Sequence, residues 1–323
     1  MKAIRIARQG GPEVLEIVEV ATPTPGPGEI LVRHQAIGLN FIDTYMRSGL
    51  YPLQTPAILG SEAAGVVEAV GEGVTRFKAG DLAAYATRTL GSYAEARALP
   101  ADQAARLPAG IDARTAAGAM LKGMTSEFLV RRCYPLKAGE ACLIWAAAGG
   151  VGSILVQWAH ALGAVVIGCV GSKDKAEIAR AHGCDHVVLY KDEDVAARVW
   201  DITGGAGVRV VYDGVGKTSF EASLKSLGKR GMLVSFGNAS GAVAPVEPLA
   251  LSRAGSLFLT RPTLFDYITN PAELDASADA LFEMIGSGAV KIEIGAEYPL
   301  AQAREAHEAL ERGETTGSTL LIP

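Results

Sequence analysis

The sequence predicts an α/β protein in which a β-rich first domain accompanies a doubly wound parallel sheet. Three observations predict it. The first stretch of the chain is a series of short apolar runs broken by Gly and Pro, and the middle alternates strand-like with helix-like segments. One such junction, AAAGGVG at Ala146–Gly152, is almost bare of side chains.

In chain order, KAIRIAR, VLEIVEV, EILVRHQAIGLN, AAGVVEAVG, DLAAYA and SYAEARAL read as strands of a compact, barrel-like domain. The proline-rich TPTPGPGE (Thr22 to Glu29) is a stiff turn between two of them. From about Leu121 the rhythm changes. CLIWA leads into a helix reaching Leu162, AVVIGCV into KDKAEIARAHG, DHVVLY into DVAARVWDITGG, and VRVVYDGVG into FEASLKSLG, before MLVSFG and SLFLT. Such alternation predicts a parallel sheet wrapped by helices. Near Arg261 it stops. The tail offers a helix at Pro271 to Ile285, a strand at Val290 to Ile294, a helix at Ala301 to Glu311 and a last strand, STLLI. It is too short for a third domain. The predicted division is therefore 1–121, completed by 266–323, and a nucleotide-binding domain over 122–265.

Composition narrows the function. The chain has 323 residues, 49% of them hydrophobic and 20% charged, which is material for large cores. A net charge of -5 with scattered Lys and Arg argues against a nucleic-acid or anionic-membrane surface, so small molecules are the expected partners. No window supplies the run of roughly 20 apolar residues of a membrane helix, and MKAIRIARQGG lacks the apolar stretch of a secretory signal, so the cytoplasm is expected. Cys133, Cys142, Cys169 and Cys184 are widely spaced, without a CxxC pair. They read as small buried hydrophobes rather than metal ligands or a redox couple.

The glycine-rich junction carries the chemistry. ACLIWAA before it reads as a strand buried on both faces, and Val151, Ile154, Leu155, Trp158, Ala159 and Leu162 after it recur at helical spacing. Aligned to the dinucleotide fingerprint, the glycine positions are Ala147, Gly149 and Gly152, with Gly150 and Val151 between the last two. Gly149 lets the backbone approach a pyrophosphate, Gly152 lets the helix approach its strand, and the helix amides face the anion. At the end of the next strand an NAD site places an acid. Here Gly171, Ser172 and Lys173 stand instead, followed by Asp174 and Lys175. A small residue, a hydroxyl and ammonium groups suit a 2′-phosphate, so NADPH is expected over NADH, with Lys175 and Tyr190 as further contacts.

These residues together resemble the zinc-independent, zeta-crystallin-like quinone oxidoreductases of the medium-chain dehydrogenase/reductase superfamily. The likeness runs through GLNFIDTYMRSGLYP, LGSEAAGVVEAVGEGV, LKGMTS, AAAGGVG, VRVVYDGVG, LVSFGN, RPTL and TTGSTLLIP. It implies a GroES-like catalytic domain, an inserted Rossmann domain, and a homodimer paired through the edge strand near Ser256 to Thr260. Zinc-dependent relatives carry cysteine where Asn40 stands and histidine where Ser61 stands, so no metal is expected. The resemblance assigns Asn40, Tyr45, Tyr51 and Arg261 to the acceptor. It assigns Lys122, Thr125, Phe236, Gly237 and Asn238 to the cofactor. Tyr51 beside Pro52 also suits a packed turn, and Lys122 an exposed helix-start charge. Two positions depart from the family: Gly214 replaces a frequent serine, and Gly313 replaces an arginine expected at the 2′-phosphate, with Arg312 one place earlier.

The implied activity is metal-independent hydride or electron transfer from NADPH to a quinone in the interdomain cleft, with Asn40 and Tyr51 orienting the acceptor. An enoyl or alkenal double-bond reductase on the same scaffold is the alternative. An NADPH-binding, crystallin-like protein with little turnover is a second.

Overall fold

A computed structural model describes residues 1–323. Its elements in chain order are β1 (Lys2–Ile6), β2 (Glu16–Glu19), β3 (Glu29–Leu39), α1 (Phe41–Ser48), β4 (Ala57–Ile58), β5 (Glu62–Val70), β6 (Leu82–Ala86), β7 (Ala96–Pro100), β8 (Ala105–Arg106) and α2 (Ala113–Phe128). There follow β9 (Ala141–Trp145), α3 (Gly150–Ala161), β10 (Val165–Val170), α4 (Lys173–Ala181), β11 (His186–Leu189), α5 (Val195–Ile202), β12 (Val208–Asp213), α6 (Phe220–Ser226), β13 (Leu227–Ser235), α7 (Pro248–Arg253) and β14 (Phe258–Thr260). The tail holds α8 (Pro271–Gly286), β15 (Ile294–Pro299), α9 (Ala303–Glu311) and β16 (Ser318–Ile322).

The chain divides into two compact units. One comprises Met1–Met124, Tyr267–Gly286 and Ile292–Pro323; the other comprises Thr125–Asp266 and Ser287–Lys291. The sequence predicts crossings at 121/122 and 265/266. The observed ones fall inside α2, after Met124, and after Asp266, and Ser287–Lys291 returns to the second unit.

In the first unit a three-stranded sheet, β2-β1-β4, accompanies a seven-stranded one ordered β15-β16-β3-β5-β6-β8, with β7 also paired to β3. β3 is the axis of the larger sheet and pairs antiparallel with β5, β7 and β16. Apolar residues of both sheets, among them Ile4, Val32, Leu39, Val67, Tyr85 and Leu321, share one core. Burying side chains of this size stabilises by roughly 1.5–3 kcal/mol each before entropy is counted.

Two helices here were not expected from the sequence. α1 is short and rich in aromatic and β-branched residues, poor helix formers; it starts because Asn40 and Asp43 form a reciprocal capping box. α2 is alanine-rich, with Ala116, Ala117, Ala119, Met120 and Met124 all inaccessible, so it has little amphipathic contrast to read. The expected strand at Val290 to Ile294 is also displaced: the strand is Ile294–Pro299, parallel to β16. Lys291 cannot join a ladder, because its N–H donates to Gln157 Oε1 (2.8 Å) and its carbonyl accepts from Gln157 Nε2 (3.1 Å).

The second unit is a six-stranded sheet in the order β11-β10-β9-β12-β13-β14, every neighbouring pair parallel. Its apolar interior includes Leu143, Ile167, Val188, Val211 and Leu233. The order runs outward from β9 in both directions, so the crossovers after β9 and β11 go to opposite sides. A crevice opens at the carboxyl end of such a switch point. No helix is long and apolar enough to cross a membrane.

Candidate functional site

In the second unit, β9 ends at Trp145, and the chain turns through Ala146–Gly149 into α3 at the switch point. Ala146 takes a φ of 53°, a left-handed conformation unusual for a residue with a Cβ. Its carbonyl accepts from Gly149 N (2.8 Å), closing the turn. A Cβ on Gly152 would fall on that carbonyl and on the Ala146–Ala147 backbone. A Cβ on Gly149 would lie 3.2 Å from the Ala146 oxygen and 3.8 Å from the Ala146 Cβ, a close but milder contact. The two glycines therefore differ in degree: a side chain at 152 would overlap the backbone of the turn, whereas one at 149 would press less severely on Ala146. No side chain caps α3. Its first amides, from Gly150, Val151 and Gly152, and the positive end of its dipole suit a phosphate.

The remaining cofactor residues of this unit gather at the same sheet edge, because each follows a parallel strand. Gly171 and Ser172 follow β10, Tyr190 follows β11, Phe236, Gly237 and Asn238 follow β13, and Arg261 follows β14. Ser172 caps α4 by accepting from Lys175 N (3.4 Å). A Cβ on Gly171 would sit 2.7 Å from the Tyr190 hydroxyl, so the missing side chain is what lets Tyr190 lean over the end of β10. Desolvation, and then the nearby Lys191 ammonium, lower the Lys175 pKa. Lys191 was not singled out from sequence, although it directly follows Tyr190. Two like charges at the end of the strand next to the glycine turn are the electrostatic complement of a phosphate dianion.

At the end of β12, Gly214 lies under the Phe236 ring, where a Cβ would be 2.9 Å from Cζ. A serine there would displace that ring. Asp213, inaccessible to solvent, accepts from Val215 N (2.8 Å), Gly216 N (3.1 Å), Ser219 Oγ (2.7 Å) and Ser223 Oγ (2.7 Å), which fixes the loop. It too was not anticipated. The Arg261 guanidinium donates from Nη1 to Pro262 O (3.2 Å). Thr125 is buried near the end of α2, in this unit.

In the first unit, Asn40, Lys122 and Glu62 form one buried group. Glu62 is fully inaccessible and accepts from Asn40 Nδ2 (2.8 Å), Lys122 Nζ (3.1 Å) and Leu121 N (2.6 Å). Gly38 makes the space: a Cβ there would fall on the Glu62 carboxylate and the Ala117 carbonyl. Lys122 is thus no exposed helix-start charge; it is 4% exposed. Both bonds of the Asn40 amide nitrogen stay within this group, Nδ2 donating to Glu62 and to Gly38 O (3.3 Å). Glu62 was missed from sequence as a site residue, though it follows Ser61 directly.

Tyr45, in α1, stacks edge-on against Tyr51 with ring centroids 5.4 Å apart, and Tyr51 N donates to Tyr45 O (3.1 Å). Gln9 Nε2 ties both ends of this loop, donating to Met46 O (2.7 Å) and Tyr51 O (2.8 Å). Arg312, exposed at the end of α9, binds Glu314 through Nε (2.8 Å) and Nη2 (3.0 Å). That pairing directs its guanidinium along its own loop.

The residues present do not fit zinc. Asn40 Nδ2 and Ser61 Oγ both act as donors, the Glu62 carboxylate is neutralised by an ammonium, and no group of three or more His, Cys, Asp or Glu could hold a metal ion. The glycine turn, with its uncapped helix, does fit a dinucleotide diphosphate.

Comparison with known proteins adds a family context. Residues 26–109 match the family described as alcohol dehydrogenase GroES-like domain, and 150–283 match zinc-binding dehydrogenase. A quinone oxidoreductase of Pseudomonas aeruginosa is 52% identical, covering 100% of this chain and 99% of its own. A 2-haloacrylate reductase of a Burkholderia species is 42% identical over 98% of both chains. The crystal structure of Escherichia coli quinone oxidoreductase complexed with NADPH superimposes with a TM-score of 0.98 at 49% identity, over 100% of both chains.

Proposed function

Because the chain belongs to the quinone oxidoreductases of the medium-chain dehydrogenase/reductase superfamily, we propose that it reduces quinones with NADPH. One observation carries this reading: an uncapped helix start, with glycines at 149, 150 and 152, at the switch point of the parallel sheet. When bound there, NADPH supplies a hydride at C4 of its nicotinamide.

The chain's own residues do the rest. Gly149 and the α3 amides take the diphosphate, while Ser172, Lys175, Tyr190 and Lys191 take the 2′-phosphate. Phe236, Gly237 and Asn238, on the loop anchored by Asp213, border the cofactor, and Arg261 stands at the same strand-end edge. Tyr51, partly exposed and backed edge-on by the buried Tyr45, offers a ring against which a flat quinone can lie, with its hydroxyl as donor to the oxyanion that forms. Asn40 acts through Glu62, keeping the Lys122 ammonium in place. The rate comes from positioning, and a quinol oxygen can take its proton from solvent.

The test is NADPH consumption with 1,4-naphthoquinone against a short 2-alkenal. Turnover of the quinone at a kcat/KM well above that of the alkenal is expected. The reverse order would make the protein a double-bond reductase, and tight NADPH binding without oxidation by either would make it a binding protein.

In this reading the protein is cytoplasmic, since four free thiols suit a reducing compartment. It is also a homodimer. β14 is an unpaired sheet edge carrying Phe258 at 56% exposure, a template for pairing with a second copy. Phe258→Lys should shift the sedimentation coefficient to that of a monomer; an unchanged coefficient would refute the pairing.

A further inference from the structure

A single hydrogen-bonded file runs through the first unit, from α9 to the start of α1. Arg47, 2% exposed, donates to Glu311 from Nη1 (3.1 Å) and Nη2 (2.6 Å). Arg47 Nη1 also lies 3.4 Å from His307 Nδ1. A guanidinium can only donate, so Nδ1 accepts and the imidazole proton sits on Nε2. His307 Nε2 is 2.9 Å from the Tyr93 hydroxyl, which donates to Asp43 Oδ2 at 3.1 Å. Asn40 N (2.9 Å) and Ser61 Oγ (3.4 Å) donate to the same carboxyl. From the Arg47–His307 contact onward, each donor in the file points toward Asp43.

His307, Tyr93 and Asp43 are all inaccessible to solvent. A file of buried polar groups is a poor way to gain stability, since apolar residues of similar volume do as well or better. Segments far apart in sequence nonetheless converge on one carboxyl, whose other partners are Asn40 and Ser61. Asn40 in turn holds Glu62 and Lys122, and Asp43 shares its helix with Tyr45.

We propose that His307 and Tyr93 are positioning residues for quinone reduction, acting through Asp43 on the Asn40–Glu62–Lys122 group and on the helix that carries Tyr45. The proposal rests on the quinone-reductase reading. Desolvation raises the Asp43 pKa to about 7, against the hydrogen bonds from Asn40 and Tyr93, with Lys122 lowering it and Glu62 raising it. Burial, and then Arg47, hold the His307 pKa down at about 3, so the imidazole stays neutral and keeps the sense of the file.

The test compares Tyr93→Phe, His307→Leu and His307→Gln with wild type. Wild-type turnover of 1,4-naphthoquinone is measured first; its absence would overturn this proposal together with the function it rests on. Given turnover, Tyr93→Phe and His307→Leu should raise the KM for the quinone about tenfold with the NADPH Kd unchanged. His307→Gln should remain near wild type, because its amide can accept from Arg47 and donate to Tyr93. The 15N spectrum of wild-type His307 should show a neutral ring with its proton on Nε2. Wild-type quinone KM in Tyr93→Phe, a failure of His307→Gln to outperform His307→Leu, or a proton on Nδ1 would each overturn the proposal. Tyr93→Phe removes one oxygen and the 15N measurement needs no variant, so the test stands even if His307→Leu does not fold.

Discussion

Gly149 and Gly152 lack the same atoms for different reasons, and the difference is measurable. A Cβ at 152 would strike the Ala146 carbonyl, so Gly152→Ala should destabilise the cofactor-free protein by about 1–3 kcal/mol, read from its urea midpoint. At 149 the added methyl meets the Ala146 oxygen at 3.2 Å and the Ala146 Cβ at 3.8 Å. Gly149→Ala should lower the cofactor-free midpoint by less than Gly152→Ala does and weaken NADPH about tenfold, or 1.4 kcal/mol. The 2′-phosphate end has its own test. Lys175→Glu should weaken NADPH by about 1.5–3 kcal/mol, the worth of a charge-assisted hydrogen bond, and leave the NADH Kd unchanged. An equal change for both cofactors would remove Lys175 from the phosphate site. The glycines and the missing acid after β10 were readable from spacing alone. Lys191 was not, because its relevance depends on β11 lying beside β10.

At the scale of elements, α1 and the start of β5 bring Asn40 and Glu62 together through the β3–β5 register that opposes Gly38 to Glu62. The group so formed is an ion pair with both partners almost wholly buried. Lys122→Met strands the Glu62 carboxylate and should cost about 3–5 kcal/mol, whereas adding Glu62→Gln should recover much of that loss. Chemical denaturation of the single and double variants checks this, and equal losses in both would deny that the two residues form a pair. The sequence showed Asn40 and Lys122 but not the partner joining them, since pairing across 60 residues leaves no local signal. α1 escaped notice for a related reason: Asn40 and Asp43, three apart, are a capping signature, yet the helix is too short and aromatic to show a period. The alternating second unit was legible almost element by element, because a sheet buried on both faces writes each strand as an apolar run.

Across the whole molecule, buried titratable groups set opposing pH dependences. Burial lowers the His34 pKa from 6.5 to about 4 and that of His307 to about 3. Their contribution to stability is complete above 6.5 and is lost as pH falls through that window, because the unfolded chain takes up protons that the fold refuses. Asp43 runs the other way. With its pKa raised from 3.8 to about 7, its contribution is complete below 3.8 and is lost as pH rises to about 7. Asp43→Asn should therefore lose stability more steeply than wild type between about pH 7 and about pH 5, and parallel urea midpoints would contradict this sign. None of these shifts was legible in the sequence, because burial comes from the core around β3, which draws on strands from β1 to β16.

The account rests most heavily on a diphosphate lying against the main chain at Gly149, and calorimetric titration of NADPH tests that directly. Wild type should bind one NADPH per chain, and Gly149→Val should release no heat while remaining folded without cofactor. No heat from wild type, or the same heat from both proteins, would contradict it.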